Sequence, residues 1–384
     1  MAEGLPPELN RAVVIGTGLI GTSIALALRE RGADVLLADR DAASVRLAVE
    51  LGAGSAFDPA HHPADPGTGS ADPGAGPADI AILAVPPAAV AATLLDAQKR
   101  RLARVYTDVA SVKAQPLAEA AELGCDLETF VGGHPLAGRE RSGPAAARAD
   151  LFLGRPWAMC PTPASGAEAV AAVTALARTC GAEPLAVDAA EHDRAVALVS
   201  HAPHVVAAAV AARLGDGSGV ALGLSGQGVR DVTRIAAGDA NLWIGILGAN
   251  AEPVADVLEA VASDIALAAS ALRAGADAGE AGAEAAAELV ADLLRRGNAG
   301  RGRIPGKHGG RQSSYAIVSV LIPDRPGELA LLFQAAGVAG VNIEDVVIEH
   351  SPGRPVGVVE LSVQPAAAQR LAEELRSRGW SVPG

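Results

Sequence analysis

Apolar residues form short unbroken runs in the first third of the chain, helix-length stripes through its middle, and strand-length runs near its end. The first run, Arg11-Ala12-Val13-Val14-Ile15, is β-branched and continuous, the pattern of a strand buried on both faces of a parallel sheet. Gly16-Thr17-Gly18-Leu19-Ile20-Gly21 follows at once and leads into an Ala/Leu-rich helix reaching Arg31, and Val35-Leu36-Leu37-Ala38 predicts a second strand. A helix over 42–51 comes next. Residues 52–78, crowded with Pro, Gly, Asp and Ala and lacking any periodicity, read as a mobile surface insert. Strands return at 79–85, before Pro86-Pro87, and at 105–109. From 189 to 296 the stripes have a helical period and no convincing strand, and their apolar excess suits dimerisation. The Gly- and Arg-rich stretch 297–314 predicts a linker, after which 316–322 and 356–361 predict strands of a small closing domain.

The glycine spacing adds chemistry to this pattern. In a strand-turn-helix context, Gly16 permits a tight turn, Gly18 lets the backbone approach a pyrophosphate, Gly21 lets helix and strand pack closely, and the N–H groups at Leu19 and Ile20 face the phosphates. Asp39, about twenty residues on and at the end of the second strand, is placed to accept from the adenine ribose hydroxyls. Its charge opposes a 2′-phosphate and favours NAD, while the adjacent Arg40 would attract one and keeps NADP open. Ligands of open α/β sheets bind at the carboxyl ends of strands, so Val85, Pro86 and Ser111 are candidates for the nicotinamide side. The fold class is therefore α/β, divided into a Rossmann-type doubly wound nucleotide-binding domain (1–188), an all-helical domain (189–296), the linker (297–314) and a small α+β domain (315–384).

Composition narrows the partners. The chain has 384 residues and 50% hydrophobic content, enough for two or three cores. Its formal net charge of −13 argues against nucleic acid and anionic membrane surfaces and leaves small molecules. No apolar run in the sequence reaches the length of a membrane span and no secretion signal is evident, so a cytoplasmic location is expected. Cys125, Cys160 and Cys180 show no metal-ligand spacing and read as buried thiols. No metal is expected.

Four of the eight histidines, His134, His192, His201 and His204, fall in the stretch after the cofactor pattern. Gly132-Gly133-His134-Pro135-Leu136-Ala137-Gly138-Arg139-Glu140 reads as an irregular turn holding one imidazole, which makes His134 the leading base. Ser200-His201-Ala202-Pro203-His204 reads as the start of a helix, where free N–H groups and two histidines would receive a carboxylate, and Arg234 in Asp231-Val232-Thr233-Arg234 offers bidentate contact with another. His192, without such a context, reads as structural. Asp231 reads as a partner of Arg234, Lys113 as a charge near the cofactor loop, and Trp243 as core or wall.

Taken in order, GTGLIG, DVASVK, GGHPLAG, EHD, SHAPH and DVTRIAAGD resemble the TyrA family, the prephenate and arogenate dehydrogenases of tyrosine biosynthesis, across residues 11–296. Pro323-Asp324-Arg325-Pro326-Gly327-Glu328-Leu329 with Gly340-Val341-Asn342-Ile343 resembles an ACT regulatory domain, a βαββαβ unit. The resemblance implies a homodimer that carries out NAD-dependent oxidative decarboxylation of prephenate to 4-hydroxyphenylpyruvate, or of arogenate to tyrosine. It implies that His134 accepts from the C4 hydroxyl with Ser111 orienting the pair. Arg234 would clamp the ring carboxylate, and His204, with His201 and Ser200 nearby, would face the side-chain carboxylate. Glu140 would pair an ammonium and favour arogenate, whereas Arg139 or the histidines would favour the keto acid. Asp324, Gly327 and Asn342 would serve a tyrosine effector. Two other readings stay open at this level. A β-hydroxyacid dehydrogenase would be expected to show a catalytic lysine in the helical region, and Lys113 and Lys307 both lie outside it. A non-catalytic NAD and amino-acid sensor would not require the histidines and Arg234.

Overall fold

The computed structural model describes residues 5–57, 76–138, 143–277, 279–305, 315–350 and 355–383, which divide into two compact units, Met1–Val261 and Ala262–Gly384. In the first, eight strands form one sheet: β1 (Arg11–Ile15), β2 (Asp34–Ala38), β3 (Ser55–Ala56), β4 (Ala78–Leu83), β5 (Ala103–Asp108), β6 (Phe130–Pro135), β7 (Pro156–Cys160) and β8 (Glu183–Ala186). The spatial order is β3-β2-β1-β4-β5-β6-β7-β8, parallel throughout except between β6 and β7. Five helices cover it: α1 (Leu19–Glu30), α2 (Ala42–Glu50), α3 (Pro87–Lys99), α4 (Ala114–Glu122) and α5 (Ala167–Thr179). Alternation within each apolar strand feeds both faces. Val14, Ile80 and Ile82 pack with α1, α2 and α5, and Val13, Ala81 and Leu83 pack with α3 and α4.

Strand order reverses between β1 and β4, and at such a switch point the carboxyl ends of the strands open a crevice. The strands β1, β2, β4 and β5 lie within two residues of their expected bounds. Unforeseen were β6, β7 and β8, whose proline and glycine content hides them. His134 in particular was expected on an irregular turn, yet it is the fifth residue of β6 and pairs with Ala158 of β7. Its glycines serve close packing instead: a Cβ on Gly133 would lie 2.8 Å from the Asp108 carbonyl and 3.0 Å from Trp157 Nε1. Of the expected insert, Ser55–Ala56 forms the edge strand beside β2, and 58–75 lie outside the described residues.

Beyond the sheet, α6 (Ala189–Val196), a π-turn (Ala197–His201) and α7 (Ala202–Leu214) form one continuous helical run. The expected helix start at Ser200 is therefore corrected: no fresh N-terminus occurs there. Pro203 fits inside the run because the wider turn before it relieves the clash between its ring and the carbonyl four residues back. By length and composition this 26-residue run is apolar enough to cross a bilayer, contrary to the sequence expectation. Here it is tied to the sheet instead, through buried His192 and Asp193. Next come α8 (Gly219–Gly223), α9 (Gln227–Thr233), a 3-10 turn (Arg234–Ala237), α10 (Ala240–Ala249) and α11 (Ala251–Asp277), which crosses the division between the units.

In the second unit α12 (Glu280–Arg301) continues through Gly297 and Gly300, so the linker expected from 297 begins later than its glycines suggested. Helical residues before them carry the helix on, since an isolated glycine costs only about 1 kcal/mol. The closing fold is β9 (Ala316–Pro323), α13 (Glu328–Val338), β10 (Ile343–His350), β11 (Val356–Val363) and α14 (Pro365–Ser377), with strand order β10-β11-β9 and all pairs antiparallel. The sixth element of the expected βαββαβ pattern is reduced to a single bridge, Leu321 to Ser381. Val318, Val320, Ile322, Leu332, Leu361 and Leu371 build its core.

Candidate active site

Gly16 follows β1 with φ +105°, and a Cβ there would lie 2.1 Å from the Ala84 carbonyl oxygen, so only glycine turns the chain at this point. Likewise a Cβ on Gly21 would lie 1.9 Å from the Gly16 carbonyl oxygen. Around Gly18 the opposite holds, since a Cβ would meet nothing within 4 Å. Gly18 caps α1, and the first N–H groups of that helix open on the same space. An open cradle above a helix N-terminus fits the pyrophosphate of a dinucleotide. Behind it, Asp39 accepts from the Thr17 N–H at 2.6 Å, from the Thr17 hydroxyl at 3.1 Å and from the Asp41 N–H at 3.0 Å, which props the glycine turn.

From this turn a cavity of about 710 Å³ extends to the helices beyond the sheet. Gly18, Leu19, Ile20, Gly21, Val85, Pro86, Ser111, His134, Ser200, His201 and His204 all line it, as expected candidates. Gly16, Asp39, Arg40 and Arg234 do not. Arg234 is exposed at the start of its 3-10 turn, and the next residue, Ile235, lines the cavity in its place. Asp231 accepts from Gln227 Nε2 at 2.7 Å. Arg139 and Glu140 lie outside the described residues. In the other unit, Gly327 caps α13 with φ +91°, the Asp324 N–H donates to Pro355, and Asn342 Nδ2 donates to Glu344 at 2.6 Å.

His134 is half-buried at the end of β6, and its Nδ1 lies 2.9 Å from Nε2 of His192. Burial above all, and then His192, Lys113 and His201, lower its pKa well below the ordinary 6.5, so it is neutral at neutral pH. His192 Nδ1 lies 2.7 Å from Asp193 Oδ1. Lys113 is fully buried, paired with Asp108, and donates to the Gly133 carbonyl at 2.7 Å, so its charge fixes the ends of β5 and β6 together. His201 is buried, receives Asn250 Nδ2 at 3.1 Å on its Nδ1, and has its pKa lowered to about 4, chiefly by burial. His204 stacks on Trp243 in the cavity wall.

Sequence reasoning gave no role to His192, Asp193 or Asn250. The signal for the first two was the His192-Asp193 doublet within EHD, a ready donor-acceptor pair. Asn250 carried none.

A neutral histidine facing a dinucleotide cradle across one cavity is the arrangement of a nicotinamide-dependent dehydrogenase, a proton acceptor beside a hydride acceptor. The model of the prephenate dehydrogenase nucleotide-binding domain matches residues 24–185, and that of the prephenate dehydrogenase dimerization domain matches 188–282. A probable prephenate dehydrogenase of Streptomyces niveus, NovF, is 42% identical over 374 residues, spanning 97% of this chain and 99% of that protein. A cyclohexadienyl dehydrogenase of Zymomonas mobilis is 30% identical over 266 residues, 66% of this chain and 85% of that one. Among solved structures, Synechocystis arogenate dehydrogenase superposes with TM-score 0.59 at 27% identity over 76% of this chain and 98% of that one. The chain belongs to the prephenate dehydrogenase family, and is an NAD-dependent oxidoreductase.

Proposed function

We propose that the cavity carries out the NAD-dependent oxidative decarboxylation of prephenate with His134 as the acceptor for the C4 hydroxyl. The observation that carries this is the neutral His134 in the wall of the cavity that begins at the glycine turn. Bound NAD supplies the acceptor for the C4 hydride. His134 takes the hydroxyl proton as the C4–H bond breaks. The electron pair of the bond to the ring carboxylate moves into the ring as CO2 leaves, and the proton returns to the phenolic oxygen. No net proton is consumed. Ser111, which lines the same cavity as His134, orients the hydroxyl, and His204 with Ser200 and His201 receives the side-chain carboxylate. Arg234, exposed and one residue from the cavity wall, would reach the ring carboxylate only by turning inward from its 3-10 turn. Asp39 is assigned the ribose and Arg40 the rim of that subsite.

An amine in place of the keto group makes arogenate the second substrate, a reading supported by the likeness to an arogenate dehydrogenase. Steady-state kinetics with prephenate and arogenate, each under NAD and NADP, decides both choices. Higher kcat/KM for prephenate with NAD is the expected result.

The enzyme works as a cytoplasmic homodimer in this reading. Exposed Leu198, Val220, Leu224 and Ile244 on its helices, 61%, 73%, 80% and 69% accessible, support an apolar contact between copies. The closing domain acts as an ACT-type sensor whose Asp324, Gly327 and Asn342 take tyrosine. Supporting this is Gly327, which caps α13 with φ +91°, so that a helix N-terminus, the kind of end that receives a carboxylate, starts beside Asp324. Tyrosine titrated into the full chain and into one ending at residue 305 tests it: inhibition confined to the full chain is expected, and equal inhibition of both contradicts it.

A further inference from the structure

We propose that His192 and Asp193 form with His134 a hydrogen-bonded relay that fixes the tautomer of His134 and so decides which of its ring nitrogens meets the substrate; this rests on the role given to His134 above. The direction of the bonds follows from the far end. The N–H groups of Lys113 and Ala114 donate to the two oxygens of Asp193, each at 2.8 Å, and Asn250 Nδ2 donates to the Asp193 carbonyl at 2.8 Å. Asp193 is thus held in place, buried, as an acceptor. The nitrogen that faces it at 2.7 Å, Nδ1 of His192, carries the hydrogen.

A neutral imidazole has one N–H, so Nε2 of His192 offers only a lone pair. Nδ1 of His134, 2.9 Å away, must then donate to it, which leaves the His134 lone pair on Nε2. Among the described residues that nitrogen has no hydrogen-bond partner. The opposite tautomer would set two lone pairs against each other across 2.9 Å and present a donor to a hydroxyl that must itself donate. The same chain of bonds stabilises the cation formed when His134 takes up a proton, the logic by which a carboxylate supports a catalytic histidine. His192 is buried and does not line the cavity, so it is a positioning residue.

Two variants separate hydrogen bonding from space filling. His192→Gln places an oxygen near the position of Nε2 and keeps an acceptor, whereas His192→Phe fills the space without one. Both are assayed in the full chain beside His134→Asn, with NAD affinity and Tm as measures of folding. Nitrogen-15 NMR of labelled histidines reads the tautomer of His134 directly. His192→Phe is expected to lower kcat by about 10²-fold or more with KM little changed, the scale of losing a correctly presented base, and His192→Gln to recover most of the loss. His134 protonated on Nε2 in the wild-type spectrum overturns the relay without any variant. So does a folded His192→Phe within about threefold of wild-type kcat while His134→Asn is severely impaired, or equal loss in the Gln and Phe variants. If His134→Asn is itself near wild type, the reading of His134 as acceptor fails, and the spectrum still decides the relay.

Discussion

His204 and Trp243 stack face to face, ring centroids 3.6 Å apart and planes 14° from parallel, and Gly238 lies against the edge of both rings. A Cβ on Gly238 would come within 2.4 Å of Trp243 Nε1 and 2.9 Å of His204 Cε1. The stack can form only because residue 238 has no side chain.

Gly238→Ala is therefore expected to push the stack apart and weaken substrate binding. Overpacking of about 1–3 kcal/mol corresponds to a rise in KM of roughly 5- to 150-fold, with NAD affinity unchanged because the glycine turn is untouched. Equal loss of both affinities would show a general disturbance of the fold.

Asp39 both props the glycine turn through Thr17 and carries the charge that opposes a 2′-phosphate. Asp39→Asn keeps an oxygen for the Thr17 N–H and removes the charge, whereas Asp39→Ala removes both. Fluorescence titration with NADH and NADPH should show the Asn variant gaining NADPH affinity and the Ala variant losing affinity for both. A wild-type preference for NADPH would remove Asp39 from this role.

The π-turn at Ala197–His201 decides which residues face the cavity. In a regular α-helix, residues nine apart, such as His192 and His201, lie on opposite faces at about 100° per residue. One residue taken up by the wider turn rotates everything beyond it back by about 100°, bringing His201 and His204 toward the side of His192. Deleting Leu198, which is 61% exposed, removes the residue that the wider turn takes up and should restore a regular helix with both histidines still on the side of His192. NAD binding should persist and turnover should stay within about tenfold of wild type; turnover at background would show that the wider turn does more than take up that residue.

Much of this was legible in the sequence, for reasons that differ by residue. Val13-Val14-Ile15 followed by the glycine turn specifies strand, turn and helix locally, because Gly16 and Gly21 are needed for contacts close in sequence. The doublet His192-Asp193 carries a donor-acceptor signal in the sequence, but it reads as structural there because its target, 58 residues earlier in β6, is set only by tertiary packing. His134 was found as a candidate from its glycines, yet those glycines answer close approach of Asp108 and Trp157 rather than a turn. A π-turn leaves no mark in hydrophobic periodicity over five residues, so Ser200–His204 reads from sequence as the start of a helix rather than the middle of one.

Acid should act on this site in two ways. His134 must be neutral to accept, and burial lowers its pKa well below 6.5, so kcat/KM should stay level as pH falls through 6.5 and drop only well below it. For stability the unfolded chain binds a proton at His201 near pH 6.5 and the folded chain only near about 4, so the unfolded state gains protons first. Stability contributed by neutral His201 is present above pH 6.5 and is lost as pH falls toward about 4, where a proton on Nδ1 would face the Asn250 donor. Tm measured from pH 7 to pH 4 should fall more steeply in wild type than in His201→Gln; parallel curves would contradict the assignment.

The account rests most directly on His134, and steady-state kinetics of His134→Asn with prephenate and NAD measures it. A fall in kcat on the order of 10²–10⁴, with KM and NAD affinity nearly unchanged, is the predicted result for loss of a proton acceptor that acts as the C4 hydroxyl ionises. A variant that folds, binds NAD and turns prephenate over within a few-fold of wild type would contradict it.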